Sequence, residues 1–238
     1  MPAYGEDLAC IHDAGHSGFA LGAAPGLLRI LRQHGVRGGL VTDLGCGSGR
    51  WARELNRAGF EVFGVDRSPS LVRMARRIAA QSRFAVGSLW QAPIPASDAV
   101  TSIGECLNYL PAGPPERLFK RVFHALRPGG VFVFDVAGPS RIPANGPRKS
   151  WNAGRDWAVL VETEGDRNRT TLTRRIVSFR RIGNRYRRSE EVHRLRLYHP
   201  EALLESLRQI GFHAERLKSY GRFPLSEGIT GVMAVKGV

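Results

Sequence analysis

The residues of this chain best suited to hold a reactive ligand are three alternate glycines flanked by two aspartates. A short apolar run ends in Asp43, glycines follow at positions 45, 47 and 49, and a second apolar run ends in Asp66. Glycine adopts positive φ and lets a ligand approach where a Cβ would collide. A carboxylate about 20 residues further on can accept hydrogen bonds from ribose hydroxyls. The pattern predicts a parallel strand–helix–strand unit that binds a nucleoside-containing cofactor.

The spacing of these glycines separates two kinds of cofactor. Dinucleotide sites space them as GxGxxG and present a helix N-terminus to a pyrophosphate. Here the spacing is GxGxG, and Asp43 stands just before the loop. A carboxylate there repels phosphate and attracts a cation. The loop therefore predicts a ligand with one nucleoside, a positive charge and no phosphates.

Four segments, in order, resemble the class I S-adenosylmethionine-dependent methyltransferases of the small-molecule type. The glycine loop with Asp66 resembles their first motif, and residues 82–89 resemble the third strand and the turn beside the adenine. Residues 98–109 resemble the fourth strand and the loop that faces the methyl group, and residues 126–136 the fifth strand with its turn. The resemblance covers residues 38–138 closely. It implies an α/β fold, with a Rossmann-like, seven-stranded, mostly parallel sheet and helices on both faces.

The resemblance also implies S-adenosylmethionine as the cofactor. It assigns the loop glycines to backbone contacts, Asp43 to the loop and the aminoacyl end, and Asp66 to the ribose. Ser88 and Leu89 would flank the adenine, although the family more often has aspartate where Ser88 stands. The predicted cofactor-binding residues are Asp43, Gly45, Cys46, Gly47, Gly49, Asp66, Arg67, Ser88, Leu89 and Gly104.

Candidate catalytic residues follow from the reaction. Methyl transfer from a sulfonium is an in-line displacement that needs positioning rather than a catalytic triad or a metal. Tyr109 is expected to orient the nucleophile, Glu105 to act as a base if burial raises its pKa, and His16 to accept a proton near the substrate. The alternatives are that Asn108 and Tyr109 cap a loop and that His16, with His12, is structural. No metal site is predicted.

The elements that must position these residues alternate as in α/β proteins. Strands are predicted at 40–44, 61–65, 83–86, 98–103 and 131–136, and helices at 49–58, 69–80 and 115–126. The proline-containing stretch 138–150 predicts a loop. Residues 156–198 alternate like an antiparallel meander with a turn at Gly183-Asn184. A helix ending at Ile210 and an antiparallel strand pair, 212–220 and 229–236, complete the sheet.

Three regions are expected along the chain. Residues 1–37 form a helical lid or an irregular packing arm, with a helix from Ala23 to Gln33 that has Pro25 in its first turn. Residues 38–150 and 199–238 form the cofactor-binding core. Residues 151–198 form an inserted antiparallel sheet that covers the substrate or makes a dimer contact.

Composition bounds the partners. The chain of 238 residues is 42% hydrophobic and 24% charged, as in ordinary globular proteins. No apolar run reaches the roughly 18 residues of a membrane span, and no secretory signal is recognisable. Three separated cysteines predict neither zinc nor disulfides and favour a cytoplasmic setting. A net charge of +14 would attract nucleic acid, but the arginines that cause it are scattered.

Three functions remain open at this level. The first is a methyltransferase that acts on a nitrogen or oxygen of a small molecule, as a monomer or homodimer. The second is an RNA or tRNA methyltransferase whose meander binds phosphates through arginines 174, 175, 180, 181, 187 and 188. The third is a non-catalytic module that binds the cofactor or dimerises. Because those arginines form adjacent pairs, strand alternation sends their members to opposite faces, which weakens the second reading.

Overall fold

The computed structural model of the protein describes residues 4–109 and 115–237, apart from the side chain of His16. The helices are α1 (Glu6–Gln33), α2 (Arg50–Arg57), α3 (Pro69–Ile78), α4 (Glu116–Ala125) and α5 (Pro200–Ile210). The first strands are β1 (Gly39–Leu44), β2 (Phe60–Asp66), β3 (Arg83–Val86), β4 (Ser97–Ser102) and β5 (Leu126–Ala137). The next four are β6 (Arg148–Ala153), β7 (Trp157–Gly165), β8 (Thr171–Ile182) and β9 (Arg185–Arg196). The last are β10 (Phe212–Leu217), β11 (Ser219–Tyr220), β12 (Phe223–Pro224) and β13 (Ile229–Lys236).

The main sheet confirms the predicted fold class. Its seven strands have the order β10-β13-β5-β4-β1-β2-β3. The five strands β1 to β5 are parallel, and β13 runs antiparallel to both β5 and β10. From β1 the chain proceeds outward to β2 and β3, and then returns to β4 on the other side. The carboxyl ends of β1 and β4 thus flank the switch point where open α/β sheets bind ligands.

A second, four-stranded antiparallel sheet of β6 to β9 lies between β5 and α5 in the chain. The predicted turn at Gly183-Asn184 joins β8 and β9. The loop prediction for 138–150 is wrong at its end, because β6 begins at Arg148. Every residue of β6 is exposed, so no apolar alternation marks the strand in the sequence. Its structure depends on pairing with β7, in which Arg148 lies opposite Thr163.

The N-terminal helix α1 is longer than the sequence indicated. It runs unbroken for 28 residues, and Pro25 lies inside it rather than in the first turn of a helix that begins at Ala23. Tertiary burial overrides the glycines and proline, because Leu8, Ile11 and Leu27 are almost fully buried. At Gly26, a Cβ would lie 1.9 Å from the carbonyl oxygen of Tyr220, so only glycine allows this close approach.

The core has two main parts, one on each face of the seven-stranded sheet. One contains Leu27, Leu31 and Trp51 from α1 and α2. The other contains Phe119 of α4 and Leu207 of α5. Burial on both faces explains why the central strands are almost continuously apolar. No helix in the described part of the chain is long and apolar enough to cross a membrane.

Candidate active site

The glycine loop lies at the switch point of the sheet and forms one wall of a cavity of about 950 Å³. Gly45, Gly47 and Gly49 all have positive φ, at 85°, 53° and 79°. Within residues 4–109 and 115–237, no atom lies within 4 Å of the position that a Cβ of Gly47 would occupy, so this backbone can border a ligand. Gly49 does not line the cavity, and a Cβ there would lie 2.8 Å from Cα of Ala75. Gly49 therefore permits close packing of α3, whereas the other two glycines border the cavity.

Asp66 lies where the sequence predicts a ribose-binding carboxylate. Only 8% of it is exposed, and it lines the cavity. Its Oδ2 accepts a hydrogen bond from Gly47 N–H at 3.0 Å, and its Oδ1 accepts one from Ser68 N–H at 2.8 Å. Burial raises its pKa, although these backbone donors oppose the shift. The loop is thus tied to β2 through a carboxylate that still has free lone pairs for hydroxyl donors.

Asp43, at the end of β1, lines the cavity and is 2% exposed. Thr101 Oγ1 donates to its Oδ1 at 2.8 Å, and Trp51 Nε1 donates in turn to Thr101 at 3.1 Å. Burial raises the pKa of Asp43 to about 7, the bond from Thr101 opposes the rise, and the charge of Asp66 adds to it. Two buried carboxylates beside one glycine loop favour a cation and repel phosphate. These residues fit a ligand that has a sulfonium and a ribose.

Asp135 of β5 is a site residue that the sequence reasoning missed. It is fully buried and lines the same cavity. It accepts hydrogen bonds from Gly104 N–H at 2.9 Å, Glu105 N–H at 2.5 Å and Tyr220 OH at 2.9 Å. Burial raises its pKa to about 6 against these donors. The sequence did offer one sign of this site, since Asp135 is a carboxylate in an otherwise apolar strand. Its two backbone hydrogen bonds hold the loop after β4 in shape.

The other predicted cofactor residues mostly border this cavity. Cys46, Arg67, Ser88, Leu89 and Gly104 all line it. Ser88 Oγ accepts a hydrogen bond from Trp90 N–H at 3.3 Å, so the hydroxyl organises its own turn. The thiol of Cys46 is buried, which raises its pKa and keeps it neutral. Among the described residues, no group of histidine, cysteine and acidic side chains could hold a metal ion.

The loop after β4 carries Glu105, which has a positive φ of 60°. Its carboxylate accepts a bond from Arg174 Nη2 at 3.1 Å and lies 3.7 Å from Arg141 Nε. Both arginines line the cavity. Two guanidinium groups on one carboxylate favour a role in orientation over proton abstraction. The strained φ shows that the loop is held in this shape by its contacts.

Tyr109 lies at the end of the same loop, and its hydroxyl is 3.0 Å from His193 Nδ1. His193 Nε2 is 2.8 Å from Glu191 Oε2. Glu191 also accepts hydrogen bonds from Tyr4 N–H and Gly5 N–H, each at 2.8 Å. The three side chains form a continuous chain from the cavity into the second sheet. The sequence analysis did not single out His193; in the structure, burial alternates at this end of β9, so that His193 and Leu195 are buried whereas Val192 and Arg194 are exposed.

Asn108 does not face the cavity as expected, and it is fully buried. Its Nδ2 donates to the carbonyl oxygens of Ala137 at 3.0 Å and Arg196 at 2.5 Å, and its Oδ1 accepts from Ala137 N–H at 2.9 Å. The loop-anchoring alternative therefore describes Asn108. The reason is topological, because β5 and β9 meet behind the loop and leave backbone groups to satisfy.

The N-terminal helix closes the cavity from one side. Tyr4, Leu8, Ile11 and His12 line the cavity. Asp13 of α1 accepts a hydrogen bond from Ser48 Oγ of the glycine loop at 2.6 Å. The catalytic prediction for the His16 side chain lies outside the described residues.

The meander arginines are engaged with acidic side chains. Arg174 pairs with Glu105 inside the cavity, whereas its neighbour Arg175 pairs with Glu164 on the opposite face. The remaining four also have acidic partners: Arg180 and Arg187 contact Asp7, Arg181 contacts Asp156, and Arg188 contacts Glu190. Alternation thus distributes the charges over two faces, as the sequence predicted, and ion pairing reduces the field that would attract phosphates.

Comparison with known proteins agrees with this geometry. A family model described as a methyltransferase domain matches residues 41–130. The putative methyltransferase YqeM of Bacillus subtilis (strain 168) is 27% identical over 191 residues, which cover 75% of each protein. A solved S-adenosylmethionine-dependent methyltransferase from Clostridium acetobutylicum ATCC 824 has a TM-score of 0.82 at 20% identity, over 97% of this chain and 98% of that one.

A second solved structure is CalS10 with bound S-adenosylmethionine, an amino pentose methyltransferase from Micromonospora echinaspora. It has a TM-score of 0.77 at 16% identity, over 99% of each chain. At these identities the two structures establish the fold, including the second sheet, since nearly the whole chain superposes. The matched domain, the related sequence and the cavity with its two buried aspartates lead to one conclusion. The chain carries a methyltransferase domain over residues 41–130 and has the fold of S-adenosylmethionine-dependent methyltransferases.

Proposed function

We propose that this enzyme methylates a nitrogen or oxygen of a small-molecule acceptor, bound between the glycine loop and the second sheet. The observation that carries the proposal is that one cavity contains both Asp43 and Asp66 of the loop and Arg174 and His193 of the second sheet. A volume of about 950 Å³ is large enough for a cofactor and an acceptor of modest size. A duplex or folded RNA is too large for such a cavity and would need an open protein surface instead.

The residues that would hold the cofactor are the predicted ones, except Gly49. Asp66 would accept the ribose hydroxyls, Asp43 would attract the cationic end, and Ser88 with Leu89 would flank the adenine. S-adenosylmethionine supplies an activated methyl group when bound. The protein's contribution is then to align the nucleophile and to exclude water.

The acceptor would rest on the inner face of the second sheet. Alternate residues of β7 and β8 line the cavity, among them Val159, Val161, Leu172 and Ile176. Such apolar walls with a few polar groups are typical of small-molecule sites. Arg174 and His193 lie opposite each other on β8 and β9 and supply the polar part. The name of CalS10 as an amino pentose methyltransferase supports an amino or hydroxyl acceptor.

We also propose a role in this reaction for each of the three regions expected from the sequence. We place a lid in residues 1–37, the cofactor-binding core in 38–150 and 199–238, and the acceptor cover in 151–198. The ion pairs of the meander arginines support an acceptor cover rather than a phosphate-binding face, because acidic residues of the same chain already pair with these arginines. No observation favours the RNA reading or a non-catalytic module. A monomer or a homodimer is compatible with a site built from one chain.

The test is a screen with methyl-labelled S-adenosylmethionine. Small amino sugars, phenols and carboxylic acids are offered in parallel with total tRNA, and labelled products are identified by mass spectrometry. We expect label in a small molecule. Label in tRNA with none in any small molecule would overturn the proposal.

A matched pair of variants locates the acceptor. Val161 faces the cavity, whereas its neighbour Leu160 is 47% exposed on the other face of the sheet. Val161→Trp should reduce acceptor turnover at least about 100-fold by filling the acceptor volume, since misplacement of about 1 Å costs that much. Leu160→Trp should leave turnover unchanged. Both variants should bind S-adenosylmethionine like the wild type in calorimetry.

A further inference from the structure

We propose that Tyr109, His193 and Glu191 form a proton relay that removes the proton of the methyl acceptor. This inference rests on the proposed function and deepens it, since it requires an acceptor that enters as a hydroxyl or an ammonium. Tyr109 and His193 line the cavity that contains the glycine loop. The three side chains are linked in series at 3.0 Å and 2.8 Å.

The direction of the relay follows from Glu191. Burial raises its pKa, but hydrogen bonds from His193, Gly5 N–H and Tyr4 N–H outweigh burial and hold the pKa below its usual range. Glu191 is therefore a carboxylate and an acceptor only. His193 must then present an N–H to Glu191, which places a proton on Nε2. Its Nδ1 is left with a lone pair directed at the hydroxyl of Tyr109.

Tyr109 is the part of the relay that would touch the acceptor. Burial raises its pKa, so its side chain is a neutral phenol that donates to His193 Nδ1. Its oxygen accepts a hydrogen bond from the Tyr4 hydroxyl through one lone pair, and the other lone pair can accept one from the acceptor. His193 is only 3% exposed, so a proton reaches it by way of the Tyr109 hydroxyl. Glu191 is a positioning residue, because it fixes the tautomer and stabilises the imidazolium.

The step balances without a further reactant. The acceptor's nitrogen or oxygen forms a bond to the methyl carbon, and the carbon–sulfur bond breaks with its electron pair left on sulfur. The acceptor's proton moves to the Tyr109 oxygen while the phenolic proton moves to His193 Nδ1. After the product leaves, the proton returns through Tyr109 to water in the cavity.

The N-terminal end of α1 completes this arrangement. The backbone N–H groups of Tyr4 and Gly5 bind Glu191 across 187 and 186 positions of the chain. The ring of Tyr4 lies 5.0 Å from that of His193 and 6.4 Å from that of Tyr109. Closing the N-terminal helix over the cavity therefore fixes Glu191 and shields the relay from bulk water.

The first test does not depend on knowing the acceptor. Long-range ¹⁵N NMR spectra of the full-length, histidine-labelled protein at pH 7.5 report the tautomer of each imidazole, and loss of a signal in His193→Asn assigns His193. We expect a proton on Nε2 and none on Nδ1. A proton on Nδ1, in either the other tautomer or an imidazolium, would overturn the relay, because Nδ1 could not accept from Tyr109.

The second test compares two nucleophiles, with S-adenosylhomocysteine formation measured by mass spectrometry. A methyl 4-amino-pentoside carries a proton that must be removed, whereas iodide carries none. Tyr109→Phe and His193→Asn should slow methylation of the aminopentoside about 100-fold or more, as expected for loss of a general base. Both should leave methylation of iodide within about threefold of the wild type. An equal loss with both nucleophiles would mean a structural role and overturn the relay.

Matched controls keep the outcomes separate. Tyr186→Phe and His213→Asn change the same residue types at exposed positions, and should alter neither rate. Calorimetry with S-adenosylmethionine checks that each variant keeps its cofactor site. Failure of the proposed function appears as label in tRNA alone, whereas failure of the relay appears in the tautomer or in the iodide comparison.

Discussion

Asp43 provides a quantitative test of the cofactor site, because burial brings its ionisation close to neutral pH. Burial raises its pKa from 3.8 to about 7, against the hydrogen bond from Thr101 and with the repulsion of Asp66. The difference between 3.8 and about 7, at 1.36 kcal/mol for each pH unit, is about 4 kcal/mol. An ionised Asp43 costs the ligand-free protein about this much. A cation bound beside the carboxylate offsets part of it.

The perturbation is Asp43→Asn, which keeps the shape and removes the charge. With a pKa of about 7, the ionised fraction of Asp43 is about 0.1 at pH 6 and about 0.9 at pH 8. If only the carboxylate attracts the cofactor, the ratio of wild-type to variant affinity should rise about tenfold between these values. Calorimetry with S-adenosylmethionine at both pH values measures it, and titration of the ligand's own groups cancels in the ratio. A ratio independent of pH would refute the assignment.

The same pKa has a consequence for the stability of the ligand-free protein. A carboxyl whose pKa rises on folding holds its proton more tightly in the folded state, so its ionisation destabilises the fold as pH rises from about 4 to about 7. Asp43→Asn should match the wild type near pH 4 and exceed its free energy of unfolding above pH 7, by up to about 4 kcal/mol. Asp135 titrates in both proteins and cancels, whereas the repulsion between Asp43 and Asp66 is lost in the variant and forms part of the difference. Urea unfolding that shows the opposite trend would contradict the buried state of Asp43.

Three further predictions concern the glycine loop and its partners. Asp66→Ala should weaken S-adenosylmethionine binding about 100-fold, the loss of about 3 kcal/mol in hydrogen bonds to a charged group, with Glu61→Ala on the same strand unchanged in calorimetry. Nicotinamide dinucleotide should not bind in that assay, and micromolar affinity would return a dinucleotide site to consideration. Gly49→Ala should lower the free energy of unfolding by about 2 to 3 kcal/mol, because the new alanine would both have a positive φ and collide with Ala75. Gly59→Ala is the control: it introduces a positive φ without a collision in the described part of the chain and should cost about 1 kcal/mol.

The sequence predicted those features that depend on local pattern. Strands β1 to β4 are short, with four to seven residues each, and their period distinguishes them from the helices. Strand β5 is longer, and the sequence predicted only its apolar part, 131–136. Ser68 and Pro69 marked the start of α3, where Ser68 Oγ accepts from Leu71 N–H. The GxGxG spacing with Asp43 and Asp66 predicted the kind of cofactor, because the glycines themselves permit the backbone conformation and the aspartates themselves supply the charge.

Elements without a local pattern were missed or misplaced. Strand β6 has no buried residue, so only its partner β7 specifies it. Helix α1 contains residues that disfavour helices, and its length depends on burial of Leu8 and Ile11 against the second sheet. Gly49 has the spacing of a cofactor contact, but the packing of α3 behind it gives it another role.

By itself, then, the sequence determined the α/β core, because each strand and helix has its own local period. It also determined the kind of cofactor, because the glycine loop and its two aspartates lie within residues 43–66, where spacing constrains the backbone directly. Only the tertiary structure shows the side chains on which the proposal for the acceptor half rests. It brings Tyr4, Tyr109 and Glu191 together from three distant parts of the chain. It also buries Asp135 beneath the loop after β4. Side-chain contacts across such separations depend on how the sheets and α1 pack, and no period or spacing in a single sequence records that packing.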